Sequence, residues 1–265
     1  MGKRTKQGQS LNTIDKERRI AVALAVGMRI ANAKFGGKGY RYFYFDANCG
    51  SGWNHQVDVP GSPLVFWHVM QQCAPGLSPA AYFCDRDVIA MEQLRSRFSA
   101  DLATAGSILL PCDNEDGLHQ FADAIRRSGE VAKYAIGAIL VDPNGYFYRN
   151  AGGIGAPVRA LRWFVTEFPR IDIILNLNMR TYFLQRGQHH QVIPPEEVLG
   201  SLRKQHWLVS RAGGQSRHLL AVGRNTETGD HKSMGFHFAD SAQGQQILSV
   251  DADGMSEPDL FGDVA

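Results

Sequence analysis

Four acidic residues stand where a strand-forming run gives way to a turn. The first is Asp46, which closes the aromatic run Tyr-Arg-Tyr-Phe-Tyr-Phe (40–45) and opens Asp46-Ala47-Asn48-Cys49-Gly50-Ser51-Gly52. Glycines at 50 and 52 would let a ligand approach the backbone where a side chain would block it. The carboxyl end of the first strand of an open sheet is where such folds bind nucleotides. A Gly-containing strand-to-helix turn with no ligand accounts for Gly-x-Gly taken alone. The second acid, Asp85, ends a run through Tyr82-Phe83-Cys84 and is placed to accept hydrogen bonds from ribose hydroxyls; Asp87, two residues on, reads as a helix N-cap. The third run ends Pro111-Cys112-Asp113-Asn114, where a carboxylate and an amide can meet the edge of an adenine. The fourth ends Val141-Asp142-Pro143-Asn144-Gly145-Tyr146-Phe147. Strand-tip acids also serve as caps, but four in succession are hard to derive from packing.

These tips need strands and helices to hold them. Helical spacing of Ile14, Ala21, Val22, Leu24, Ala25, Met28 and Ile30 predicts a helix over 13–33, closed by the glycines at 36, 37 and 39. Helices are expected at 62–73, with Ser62 as N-cap and Pro63 at the first helical position, and at 87–103, 115–128, 157–168 and 195–206. Strands are expected at 80–84, 107–111, 135–141 and 171–177. Strands alternating with helices of this length imply a parallel sheet covered on both faces. The runs 206–211 and 217–224, separated by Ala-Gly-Gly-Gln, read as a closing antiparallel hairpin. The expected fold is α/β: a Rossmann-like, seven-stranded, mostly parallel sheet with helices on both faces and a C-terminal antiparallel hairpin. A basic tail over 1–12, one domain over 13–250 and an acidic tail over 251–265 complete the organisation.

Charge divides unevenly along the 265 residues. Residues 1–41 hold ten Lys/Arg against two acids, and residues 226–265 hold one Lys against eight acids. A basic arm suits nucleic acid phosphates, although a solvated amphipathic helix has the same composition. No stretch of 18 consecutive apolar residues argues for a membrane span, and no apolar segment follows the basic start as in a secretory signal. The four cysteines form no C-x-x-C pair, which argues against a zinc ribbon or disulfide framework and for a reducing cytoplasm. His189-His190 is a poor metal pair, because adjacent residues on an extended chain point apart. Arg180, Tyr182, Arg186 and His189 read as a loop that could hold a nucleic acid backbone, or as solvated surface. Pro258-Asp259-Leu260-Phe261 faintly resembles a docking peptide.

The order of these elements resembles a class I S-adenosylmethionine (SAM) methyltransferase. Asp46-x-x-Cys49-Gly50-Ser51-Gly52 resembles the D-x-F-A-G-x-G signature of nucleic acid methyltransferases, with Asn48 in place of Phe and Cys49 in place of Ala. Gly61-Ser62-Pro63-Leu64, Asp142-Pro143-Asn144-Gly145 and Ile173–Asn178 are similar to segments of the three-Cys-motif partner proteins, with Asn144 in place of Phe. The resemblance covers about residues 15–235 and implies SAM as cofactor. It assigns cofactor binding to Asp46, Asn48, Cys49, Gly50, Gly52, Asp85, Asp113 and Asn114. It assigns catalysis to Asp142, Pro143, Asn144 and Tyr146, with Asp142 accepting hydrogen bonds from a target amino group and Tyr146 stacking on an extruded base. Cys49 sits in this loop and would face the cofactor, as a small buried filler rather than a nucleophile. The partner implied is DNA or RNA, together with an enzyme carrying three cysteines. A dehydrogenase reading is weaker, because Gly52 is followed by Trp53-Asn54-His55 rather than by a helix. An accessory protein that keeps the fold without methyl transfer is the alternative.

Overall fold

The computed structural model describes residues 12–55, 57–98, 106–143, 146–150, 153–188, 191–212, 218–226 and 234–249. Its sheet consists of β1 (Arg41–Asp46), β2 (Ser78–Cys84), β3 (Ser107–Leu110), β4 (Ile136–Val141), β5 (Ile171–Asn178), β6 (His206–Ala212), β7 (His218–Arg224) and β8 (His237–Phe238). They lie in the order β3-β2-β1-β4-β5-β7-β6-β8. Strands β1 to β5 are mutually parallel, and β7 runs antiparallel to both β5 and β6. The expected sheet is therefore present with its terminal hairpin. It carries an eighth strand, β8, which pairs with the edge of β6 at Leu208 and Val209. Two residues of pairing leave almost no periodicity to read in a sequence.

Burial on both faces explains why the strands read as nearly continuous apolar runs. All six residues of β4 are buried. Along β1, Phe43 and Phe45 enter one core while Tyr42 and Tyr44 enter the other, as the two-residue period of a strand requires. The tyrosine side is covered by α1 (Asn12–Phe35), α2 (Ser62–Cys73) and α3 (Val88–Arg97). The phenylalanine side is covered by α4 (Asn114–Arg127), α5 (Ala156–Glu167), α6 (Met179–Gln188), α7 (Pro195–Ser201) and α8 (Ala242–Leu248).

Helix ends depart from expectation in instructive ways. Asp87 caps α3 as expected, its carboxylate accepting from the Ile89 and Ala90 N–H groups at 3.0 and 3.2 Å. The cap of α2 is Gly61 rather than Ser62. Helix α7 stops at Ser201 instead of running to 206, and Arg203 beyond it takes a left-handed φ of 51°. Residues 179–188, read as a loop, are helix α6. The two tails lie outside the described residues, apart from Asn12, where α1 begins.

The chain runs outward through β1, β2 and β3 and then crosses back to lay β4 beside β1 on the other side. The connections leaving β1 and β4 therefore diverge above neighbouring strand ends, where Asp46 is in register with Leu140. A crevice at such a switch point is the usual ligand site of an open α/β sheet.

Candidate functional site

The loop leaving β1 folds back over its own strand end. Asp46 is fully buried and accepts from the Asn48 N–H at 3.3 Å. Burial pushes its carboxyl up to about 7, against hydrogen bonds from the Ser62 side chain and the Asn48 backbone. Ser62 thus serves the buried acid rather than the helix end. Gly50 and Gly52 have φ of 56° and 72°, conformations that side chains disfavour. A Cβ on Gly52 would meet the buried Leu94 Cδ1 at 2.5 Å, whereas a Cβ on Gly50 would meet nothing within 4 Å. One glycine is required by packing, and the other faces open space.

Neighbouring tips close around this loop. The Gly50 N–H donates to Asp85 Oδ2 at 3.0 Å, while Asp85 Oδ1 accepts from the Asp87 N–H at 2.9 Å. Asn114 Nδ2 donates to Asn48 Oδ1 at 3.1 Å. Asp113 is exposed at the start of α4 and makes no side-chain cap there. Asp46, Asn48 and Asn114 thus form one hydrogen-bonded group and Gly50 and Asp85 a second, both on the same loop. Cys49 is the small buried filler expected, but it does not face the loop's open side. Its side chain turns into the core, 3.4 Å from Met91 Sδ, where burial pushes the thiol well up.

The tip of β4 carries a different arrangement. Asp142 Oδ2 accepts from Lys16 Nζ of α1 at 2.8 Å, and its Oδ1 accepts from Asn176 Nδ2 of β5 at 2.5 Å. Burial opposes ionisation of Asp142, but the Lys16 ammonium and these hydrogen bonds outweigh it and hold the carboxyl below its ordinary value. Lys16 also lies 3.3 Å from Glu17 Oε1. Burial raises the Glu17 carboxyl, with Lys16 opposing, whereas Asp142 and Glu17 overcome the burial penalty of Lys16 and raise the ammonium. Asp142 is still 23% exposed, so one side remains approachable. Pro143 is half-buried, and Asn144 lies outside the described residues.

Tyr146 differs from expectation. It is 5% exposed, with its ring 5.0 Å from that of Tyr182 and 6.1 Å from that of Phe147. An extruded base has no free face to stack on in this arrangement. Tyr182, expected in a nucleic acid-holding loop, is likewise buried in α6. His189 and His190 lie outside the described residues. Among the described residues no group of three His, Cys, Asp or Glu side chains could hold a metal, and no helix is long and apolar enough to cross a membrane.

Sequence reasoning missed Lys16, Glu17 and Asn176. A signal existed for the first two. The buried stripe Ile20, Leu24, Met28 and Ala31 continues backwards at helical spacing to Thr13 and to Lys16 and Glu17. Charged residues on a core-facing stripe call for buried partners. Helix α1 is fixed in that position by Arg19, which donates to Ser210 Oγ of β6 at 2.8 Å, and by Arg224 of β7, which donates to the Ala23 carbonyl at 3.2 Å.

The architecture is a Rossmann-like α/β sheet with the polar residues at its switch point. No family model matches the chain, and no curated protein sequence matches it. Solved structures do resemble it. One is a Legionella pneumophila protein of the DUF519 family, at 10% identity and a TM-score of 0.46, with 86% of this chain and 89% of that one covered. Another is a Listeria monocytogenes protein named as a class I SAM-dependent methyltransferase, at 13% identity and a TM-score of 0.46, with 85% and 65% covered. A third is a SAM-dependent O-methyltransferase from Thermotoga maritima, at 10% identity and a TM-score of 0.42, with 85% and 70% covered.

Proposed function

We propose that the chain is a SAM-dependent methyltransferase acting on nucleic acid, with the amino group of a base as methyl acceptor. The observation that carries the cofactor reading is Gly50, a left-handed glycine above which a Cβ would meet nothing, at the switch point and hydrogen-bonded to Asp85. Bound in that crevice, SAM would supply an electrophilic methyl group. Each Asp85 oxygen has a second lone pair, which suits the carboxylate to ribose hydroxyls. Asn48 and Asn114 would meet the edge of the base. Asp142, kept anionic by Lys16, would accept the N–H of the target and so aim its lone pair, a contribution of positioning.

A groove of about 720 Å³ between α1 and α2 supports a polyanionic substrate. Arg18, Arg29 and His68 line it beside Asp15 and a mostly apolar floor, and both arginines are exposed. Phosphates neutralised there would add salt-dependent, sequence-independent affinity. Calorimetric titration with SAM and its demethylated product, S-adenosylhomocysteine, tests the cofactor reading, and binding of neither below about 1 mM would refute it. Radiolabelled methyl transfer to DNA, RNA and protein pools then tests the substrate. Label in nucleic acid is the expected result, abolished by Asp142→Ala with nucleic acid binding retained.

The burial of Tyr146 and the pairing of Asp142 with Lys16 favour a second reading, an accessory protein that works with a partner enzyme. The similarity of its motifs to the three-Cys-motif partner proteins fits that reading. Transfer seen only when a three-cysteine partner is added would support it.

A further inference from the structure

Helix α1 carries two apolar stripes. The first, Ile20, Leu24, Met28 and Ala31, is buried. The second, Ala21, Val22, Ala25 and Val26, is only half-buried and, with Val69 of α2, floors the groove of about 720 Å³. Arg18 and Arg29 are exposed at its two ends. Arg19, also in the lining, is engaged by Asp15, Ser210 and the Gly235 carbonyl. Arg18 and Arg29 have no ion-pair partner among the described residues. An apolar floor with an uncompensated cation at each end calls for a segment whose apolar residues are flanked by acids.

The chain holds such a segment. Residues 250–265, outside the described residues, contain five acids and no Lys or Arg, and Leu260-Phe261 is bracketed by Asp259 and Asp263. Those two acids span about 13 Å of extended chain, against about 16 Å of helix between Arg18 and Arg29, a difference that arginine side chains absorb. Reach is sufficient. Helix α8 ends at Leu248 beside β6 and β8, and the groove comes to the same sheet edge at Met234 and Gly235, just before β8. The chain from Ser249 to Asp259 covers up to about 33 Å, more than the roughly 20 Å between layers packed on opposite faces of a sheet. We infer that residues 250–265 dock in this groove of their own chain, with Leu260 and Phe261 on the apolar floor and Asp259 and Asp263 paired with Arg18 and Arg29. Tethering supplies the affinity, because a linked segment meets its site at an effective concentration in the millimolar range. The docked tail would hold the arginines that the nucleic acid reading above assigns to phosphates. A polyanion then has to displace it, and its apparent affinity falls in proportion to the fraction of open grooves. The docking stands without that reading; the competition rests on it.

The test uses the full chain, with Met234, a groove residue 38% exposed, as reporter. Dilute hydrogen peroxide converts a reachable methionine to its sulfoxide, read as a mass gain on the peptide that carries it. Met28, Met70, Met91 and Met179 are buried and report any loss of fold. Leu260→Ser with Phe261→Ser keeps the charge of the tail and should speed Met234 oxidation about threefold or more, as should Arg18→Glu with Arg29→Glu. Adding Asp259→Arg and Asp263→Arg to the groove variant should restore the wild-type rate. Single-stranded DNA, followed by fluorescence anisotropy, should bind the Leu260→Ser, Phe261→Ser protein about threefold or more tighter than the wild type. Equal Met234 rates in all these proteins, with the buried methionines protected, overturn the docking and leave the nucleic acid reading standing. Protection that grows with protein concentration also overturns it, since the tail then docks on a second copy. Met234 rates that follow the tail with no DNA bound by any of them support the docking and overturn the nucleic acid reading.

Discussion

Replacing Gly50 and Gly52 by alanine, one at a time, separates what the loop does for the fold from what it does for a ligand. Both glycines are left-handed, and an L-residue there costs about 1–2 kcal/mol. For Gly50 that is the whole expected cost, because its Cβ would enter open space. A loss of about 1 kcal/mol corresponds to a fall in Tm of roughly 2–4 °C for a domain of this size. For Gly52 the Cβ would collide with Leu94 Cδ1 at 2.5 Å, and Leu94 is fully buried with no room to swing. Overpacking of that kind adds about 1–3 kcal/mol. The Gly52→Ala protein should therefore melt distinctly below Gly50→Ala. SAM affinity should show a different pattern. Gly50→Ala places a methyl group in the crevice and should weaken SAM by about tenfold or more while the protein stays folded. Differential scanning calorimetry and isothermal titration on the same preparations give both quantities. If Gly50→Ala binds SAM as the wild type does, the space above Gly50 is not the cofactor bed. If it destabilises as much as Gly52→Ala, that space is filled.

Other perturbations probe the supports. Arg224 is 2% exposed, pairs with the half-buried Asp172 at 2.8 Å and holds α1; Arg224→Met removes both contacts and should cost about 2–3 kcal/mol in urea denaturation. Asp46 titrates near 7 when folded, above its ordinary value of 3.8. The folded chain therefore holds this proton more tightly, and stability from this group falls as pH rises from about 4 to about 7. Denaturation midpoints at pH 5 and pH 7.5 should differ less in Asp46→Asn than in the wild type, and an equal difference would show that burial does not disturb the acid. Cys49, Cys73 and Cys84 are buried and Cys112 is half-buried, and burial pushes the Cys49, Cys84 and Cys112 thiols up. A thiol reagent at neutral pH should react slowly with Cys112 alone in the native protein and with all four after unfolding.

The sheet was legible because its strands are buried on both faces and β-rich, from Tyr42–Phe45 to Ile136–Val141. Asp87 could be read as a cap because the reason is local: its carboxylate bonds N–H groups two and three residues away. Helix α6 was not legible, since MRTYFLQRGQ shows little periodicity and follows a strand without a break. The placement of Asp46 to Gly52, Asp85 and Asn114 at neighbouring strand tips could be read because each follows a strand-forming run. The α1 side could not be placed, since Lys16 and Asp142 are 126 residues apart and nothing in the sequence pairs them. Tyr146 has the right type and position for a stacking role, but the rings of Phe147 and Tyr182 decide where it goes.

The anchoring of α1 bears on how the protein is made. Helix α1 is synthesised first, yet Ser210 and Arg224, which hold it, come 191 and 201 residues after their partners Arg19 and Ala23. At roughly 5–20 residues per second, α1 waits about 10–40 s on the ribosome for these two anchors, although α2, on which it also packs, follows it closely. Strands β1 to β5 can assemble meanwhile, but Lys16 reaches Asp142 in its final setting only after β7 has emerged. The nascent chain thus has α1, α2 and β1 to β5 available before the strands that anchor α1 and complete the switch point. A messenger truncated before β7 would yield a protein with its glycine loop but without this closure.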